Sequence, residues 1–188
     1  MEATYSNSWI EYIKSCVSTG KLIAYSKFKN SFQLENYLLQ FPVHMRRNLT
    51  KLRISAHNLA IETSRYRSKS QIVIPISKRL CFHCNDIETE HHLLFDCPLY
   101  NVERDAMWKE IAVISTIEPS CADRFNIFMS CMNGDAEIGK IVCKHINACF
   151  AKRSEVLCQI KETEALLRPK TTITRSGRTS TRPIRYDV

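Results

Sequence analysis

Glycine and proline are scarce in this 188-residue chain, at four and six residues. A turn-rich all-β fold needs such breakers at short intervals, so their scarcity argues against one and for long helical stretches. No run of about 18 apolar residues occurs, and a membrane span is not expected. The apolar stretch within residues 1–20 carries Glu11 and Lys14, so it does not read as a secretory leader. Gly20, Gly134, Gly139 and Gly177 each stand alone, leaving no Gly-rich loop to cradle a phosphate. The acidic residues are dispersed, so the clustered carboxylates that polymerases and nucleases use to hold two metal ions are missing. The expectation is a protein that is not an enzyme.

What is present fits a globular chain. Hydrophobic residues make up 44% and charged residues 24%, enough for one ordinary domain plus a tail. The nine cysteines are an odd count without an export leader, which favours reduced thiols in a cytosolic or nuclear setting over a disulfide framework.

Four of the potential metal ligands lie close together. Cys81 and Cys84 form a C-x2-C knuckle, followed by His92 and Cys97 in the spacing C-x2-C-x7-H-x4-C. Two thiolates two residues apart can wrap one side of a zinc ion, and a second pair completes its tetrahedron. Thr89 is placed to cap a short helix with His92 at its third position, and Pro98 ends that turn. Four strong ligands close the coordination sphere, so the expectation is one structural Zn2+ rather than a catalytic ion. His91 or His83 could replace His92, although both suit the surface better. Cys143, His145 and Cys149 suggest a second cluster, but Ile141, Val142 and Ile146 around them mark a buried helix face. Asp86, Glu88 and Glu90 read as knuckle surface and helix N-terminal charge.

Charge is strongly segregated. Residues 43–80 carry nine Lys or Arg against Glu62 alone, and residues 166–188 carry six against Asp187. Residues 81–165 hold fourteen acids against eight basic side chains. Two basic segments around an acidic one suit contact with a polyanion. The candidate phosphate contacts are Arg46, Arg47, Lys51, Arg53, Arg65, Arg67, Lys69, Lys78 and Arg79. Tyr66 or Phe82 could stack on an unpaired base.

Periodicity places helices over residues 8–19, 34–41, 43–60, 101–114, 123–132 and 136–164. The clearest is 43–60, where Met45, Leu49, Leu52, Ala56 and Leu59 form one stripe. The longest, 136–164, is long enough to invite a break. Residues 21–29 and 71–76 read as extended, and 64–70 as loop. From Arg168 onward apolar content almost disappears, and disorder is expected. The fold expected is mostly α: a helical region over 1–80, the zinc knuckle over 81–100, a second helical region over 101–165 and a disordered basic tail.

Leu49 through Tyr66, Arg79-Leu-Cys-Phe-His-Cys84 and Glu88-Thr-Glu-His-His-Leu-Leu-Phe-Asp-Cys-Pro-Leu-Tyr100 together resemble a known module. It is the zinc-binding segment that ends the reverse-transcriptase polyproteins of non-LTR retrotransposons. The likeness spans about residues 21–108 well and the later helices loosely. Ser64 stands where such elements often carry Gly, and Phe82-His83 replaces a Pro-containing knuckle. The tail from Thr174 to Arg178, with Pro183 and Tyr186, is similar to linkers in retroelement polyproteins. The resemblance implies Cys81, Cys84, His92 and Cys97 as ligands and no activity of the segment's own. It also implies that a chain lacking the polymerase body is a fragment or a separate gene derived from such an element. The function expected is a nucleic-acid-binding module, RNA or DNA, without a membrane partner. The alternatives are a zinc-stabilised protein-interaction domain and a decayed element fragment without selected function.

Overall fold

The computed structural model describes residues 2–18, 22, 25–26, 29, 32–65, 74–114, 135–167, 171–173 and 179–181. Six α-helices are described: α1 (Glu2–Ser18), α2 (Asn36–Gln40), α3 (Val43–Arg53), α4 (Ala60–Thr63), α5 (Asn101–Ile114) and α6 (Ala136–Leu167). The chain divides into two compact units, Met1–Phe150 and Ala151–Val188, with the boundary inside α6. The segment expected at 123–132, the loop at 66–70 and most of the tail lie outside the described residues.

Helix α1 starts at Glu2, six residues before the start expected at residue 8. Trp9 meets Tyr25 edge-on at 6.3 Å and Phe32 at 5.8 Å between ring centres. The extended reading of 21–29 is not borne out where the chain is described. Helical i→i−4 bonds run from Ser26 N–H to the Leu22 carbonyl (2.9 Å) and from Lys29 N–H to the Tyr25 carbonyl (3.0 Å). Similarly, Ile74 and Pro75 are irregular and Ile76–Lys78 is a 3₁₀ turn, not a strand. Proline at 75 cannot donate to a strand ladder, and its fixed φ suits the start of a helical turn.

The helix expected over 43–60 ends at Arg53, and residues 54–59 are non-helical before α4 begins at Ala60. Ser55 adopts a left-handed φ of 53°. Its N–H bonds to the Leu52 carbonyl (3.3 Å), while Ala56 N–H reaches back to Lys51 (2.8 Å). That pair of bonds is a Schellman termination with Ser55 in the position usually held by glycine. A left-handed non-glycine residue costs about 1–2 kcal/mol, so something outside the helix must hold it. The Ser55 hydroxyl is buried and donates to Glu90 Oε1 at 3.0 Å, which supplies that partner. The stripe survives the break: Leu49, Leu52 and Leu59 are fully buried, whereas Ala56 turns out to solvent.

Helix α5 covers the residues expected and buries Met107 and Ile111. Helix α6 continues unbroken from a cap at Asp135, whose Oδ1 accepts the N–H groups of Glu137 (2.8 Å) and Ile138 (3.2 Å). Ile138, Val142, Cys143, Ile146 and Cys149 of α6 join Tyr37, Phe41, Leu49, Leu52, Leu93, Leu94 and Met107 in one buried cluster. The knuckle's Cys81 and Cys97 belong to the same cluster, so within the first unit the knuckle shares one core with the helices before it and with α5 and α6 as far as Phe150. Asn147 fixes α6 to α3, accepting from Asn48 Nδ2 (2.9 Å) and donating to the Met45 carbonyl (3.0 Å). In the C-terminal unit, where disorder is expected from Arg168, β1 (Thr171–Ile173) pairs antiparallel with β2 (Thr179–Thr181), Thr172 opposite Ser180. The β-branched threonines and isoleucine there favour extended pairing.

Phe41 packs its ring against α6 at Gly139, where an added Cβ would lie 2.6 Å from Cζ. Gly139→Ala is expected to lower stability by about 1–2 kcal/mol in urea unfolding, because overpacking beside a buried ring outweighs the helix propensity gained. His145 gives a second expectation. Burial lowers its pKa to about 4, against the partly opposing hydrogen bond at Glu103. Its folded-state pKa lies below the unfolded value, so its contribution is complete above about pH 6.5 and is lost as the pH falls toward 4. The stability of wild type relative to His145→Leu should fall by up to about 3 kcal/mol across that window. A gap that stays constant over this range would refute the assignment.

Candidate metal centre

The first donor pair is held by a tight hairpin. Leu80 and Ile87 bridge antiparallel, Glu88 N–H bonds to the Arg79 carbonyl (2.9 Å), and Cys81 N–H bonds to the Asp86 carbonyl (2.7 Å). Asn85 closes the loop with a φ of 64°, a left-handed conformation that asparagine tolerates better than most residues. The Cys81 and Cys84 thiols are thereby turned to one side.

The second pair comes from a different local device. Thr89 caps as its position suggests: its Oγ1 accepts His92 N–H at 3.0 Å. Residues His92–Asp96 then form a π turn, closed by Cys97 N–H on the His92 carbonyl at 2.9 Å. On an α-helix, residues five apart point about 140° away from each other. The wider π register brings His92 and Cys97 round to the same side. Pro98 opens the 3₁₀ turn Pro98–Tyr100, which leads into α5.

The donor atoms of Cys81, Cys84, His92 and Cys97 all lie within 4.8 Å of one another, and this group could hold a metal ion. Cys81 Sγ and Cys97 Sγ are 3.9 Å apart, and Cys84 Sγ lies 3.2 Å from His92 Nε2. Two thiolates at about 2.3 Å from a tetrahedral ion would be separated by about 3.8 Å, so the geometry fits such an ion. His92 is buried, whereas His83 and His91 are exposed, and His91 Nδ1 pairs with Asp96 at 2.8 Å. His92 is therefore the histidine in the cluster. Cys143 and Cys149 are fully buried in the core, with Cys149 Sγ 3.6 Å from the His145 ring, as a buried helix face implies.

Burial sets the protonation of the donors. It pushes the Cys97 thiol up to about 12, with the neighbouring Cys81 and Cys84 thiols adding to the effect. Burial raises Cys84 as well, and it holds His92 below the ordinary histidine value against the pull of Asp96 and Asp86. The imidazole is thus kept in its ligating neutral form, while a metal must displace thiol protons to bind.

Two carboxylates read as surface charge are structural. Glu88 is buried, and its Oε2 accepts the N–H of Ala60 at the start of α4. Glu90 accepts from Ser55 and from His57 Nε2, the latter at 2.9 Å. Burial alone would raise the Glu90 carboxyl, but the hydrogen bond and charge of His57 hold it below the usual range. Alternating acids before the histidines were the only sequence signal for these contacts, and it did not reveal their partners.

The basic candidates separate into two groups. Arg53 is 1% exposed, pairs with Glu35 Oε2 at 2.7 Å and lies over the Tyr37 ring. Arg79 is buried, donating to the carbonyls of Ile74 (3.0 Å) and Ile61 (2.7 Å). Arg65 pairs with the buried Glu62 at 2.5 Å. These three have internal partners, with Arg53 and Arg79 buried and Arg65 half-buried. Arg47 and Lys78 are exposed, and Arg46 and Lys51 half-buried; none of the four has a carboxylate partner among the described residues. Arg67, Lys69 and Tyr66 lie outside the described residues.

No family model, curated protein or solved structure matches this chain. No helix among the described residues is long and apolar enough to cross a membrane.

The cluster makes a direct prediction about metal content. Cys97→Ser should lose stoichiometric metal in elemental analysis, while Cys149→Ser should keep it. Retention of a full equivalent by the first variant would overturn the ligand set.

Proposed function

We propose that this chain is a non-catalytic nucleic-acid-binding module built on one structural zinc ion, derived from the C-terminal segment of a non-LTR retrotransposon polyprotein. Three sulfurs and one imidazole nitrogen form a soft tetrahedral donor set, which suits zinc and not the oxygen-seeking magnesium or calcium. Four such donors leave no open position for water, so the ion's role is to fold the chain. Cys81, Cys84 and Cys97 would bind as thiolates and His92 through Nε2.

The observation that carries the nucleic-acid reading is the surface of α3. Val43–Arg53 contains no acidic residue, and its Arg46, Arg47 and Lys51 stay unpaired by carboxylates among the described residues while Arg53 turns inward. Cations without carboxylate partners along one helix suit the regularly spaced phosphates of a polyanion. Such contacts fix affinity without reading sequence.

A second reading, a protein-interaction domain, is favoured by Ile76, Leu80 and Ile87, which are 51%, 43% and 39% exposed on or near the knuckle. Salt titration separates the two. Binding to RNA or DNA should weaken with salt at a logarithmic slope of about −0.9 per phosphate on duplex, or about −0.7 on single strands. The Arg47→Ala/Lys51→Ala double variant should reduce that slope by about two and weaken binding alike across sequences. Absence of any complex with RNA or DNA at about 50 mM salt would reject the nucleic-acid reading in favour of the protein partner.

A further inference from the structure

The π turn that unites His92 and Cys97 leaves a backbone problem. In a regular helix the Leu94 carbonyl would accept from the N–H of residue 98, but residue 98 is proline and has none. The donor comes from α5. Arg104 Nε donates to the Leu94 carbonyl at 2.9 Å, and Arg104 Nη2 donates to the Cys97 carbonyl at 3.0 Å. The remaining edge of the guanidinium is fixed by Asn101 Oδ1, which accepts from Nη1 at 2.7 Å. One planar fork thus spans the end of the turn that carries a ligand at each end.

We propose that Arg104 is the positioning residue of the metal centre, holding residues 92–97 in the five-residue register that brings His92 and Cys97 onto one ion. It touches no donor atom and acts through the two carbonyls. Without it, the Leu94 carbonyl loses the donor that Pro98 cannot supply, and the segment is no longer fixed in the register that keeps His92 and Cys97 on one side. Lysine retains the charge but not the fork, so it cannot serve both carbonyls in fixed directions. A guanidinium beside the turn also offsets the single negative charge left when three thiolates and a neutral imidazole bind a divalent cation. This inference rests on the metal reading above.

Cobalt(II) titration of the full chain tests both, with zinc affinity measured by competition. Wild type should bind one equivalent and give the intense visible bands of a tetrahedral thiolate site. Arg104→Met and Arg104→Lys should each weaken zinc binding about 10–100-fold and alter the cobalt bands at saturation. Gly139→Ala, which destabilises the fold away from the centre, should leave the saturated spectrum as in wild type. The inference is overturned if both Arg104 variants keep wild-type affinity and spectrum, or if Gly139→Ala changes them to the same extent. Should Arg104→Met fail to fold at saturating metal, Arg104→Lys decides by the same criteria. A wild-type chain that takes up no cobalt removes the metal reading itself, and this inference with it.

Discussion

Convergence of three thiols and one imidazole on a common centre is the constraint around which the first unit of this protein is arranged. Bringing the hairpin at 81–84 and the turn at 92–97 together orders two loops, a loss of entropy that local hydrogen bonds offset only partly. A structural zinc ion contributes on the order of 10–16 kcal/mol in small peptide sites at neutral pH, far more than any single buried side chain. Cys81 and Cys97 sit in the same apolar cluster as Leu49, Leu52 and Ile146. The centre and the helical core therefore stabilise one another.

Buried carboxylates connect that centre to the basic segment. Glu88 anchors the start of α4, and Glu90 holds Ser55 and His57 just beyond the end of α3. Glu35 and Glu62 similarly take up Arg53 and Arg65. A buried arginine without its partner would be a severe penalty, so these pairs fix which cations face inward. Among the described residues of 43–80, Arg46, Arg47 and Lys51 on α3 and Lys78 beyond it are the basic side chains without a carboxylate partner.

Much of the helical architecture is legible in the residues. Asn101–Ile114 follows directly from its periodicity, and the apolar face of α6 appears as Ile138, Val142 and Ile146 at helical intervals. Thr89 and Pro98 mark the two ends of the segment carrying His92 and Cys97, and the core placement of Cys143 and Cys149 follows from their apolar neighbours. The break at Ser55 was hidden, because the stripe from Met45 to Leu59 keeps its helical spacing through it. What ends the helix is a hydrogen bond to Glu90, 35 positions away in sequence.

By itself, then, the sequence determined the kinds of ligand atoms, their order, the helical class and the segregation of charge, since each follows from local residue chemistry and spacing. Tertiary structure decided where α3 stops, which arginines reach solvent, and that the turn before Cys97 is π rather than α. Those choices depend on partners distant along the chain: Glu90 for Ser55, Glu35 for Arg53, and the fork of Arg104 for a carbonyl that Pro98 cannot serve. Local propensity carries no record of such partners, because they exist only once the chain has folded.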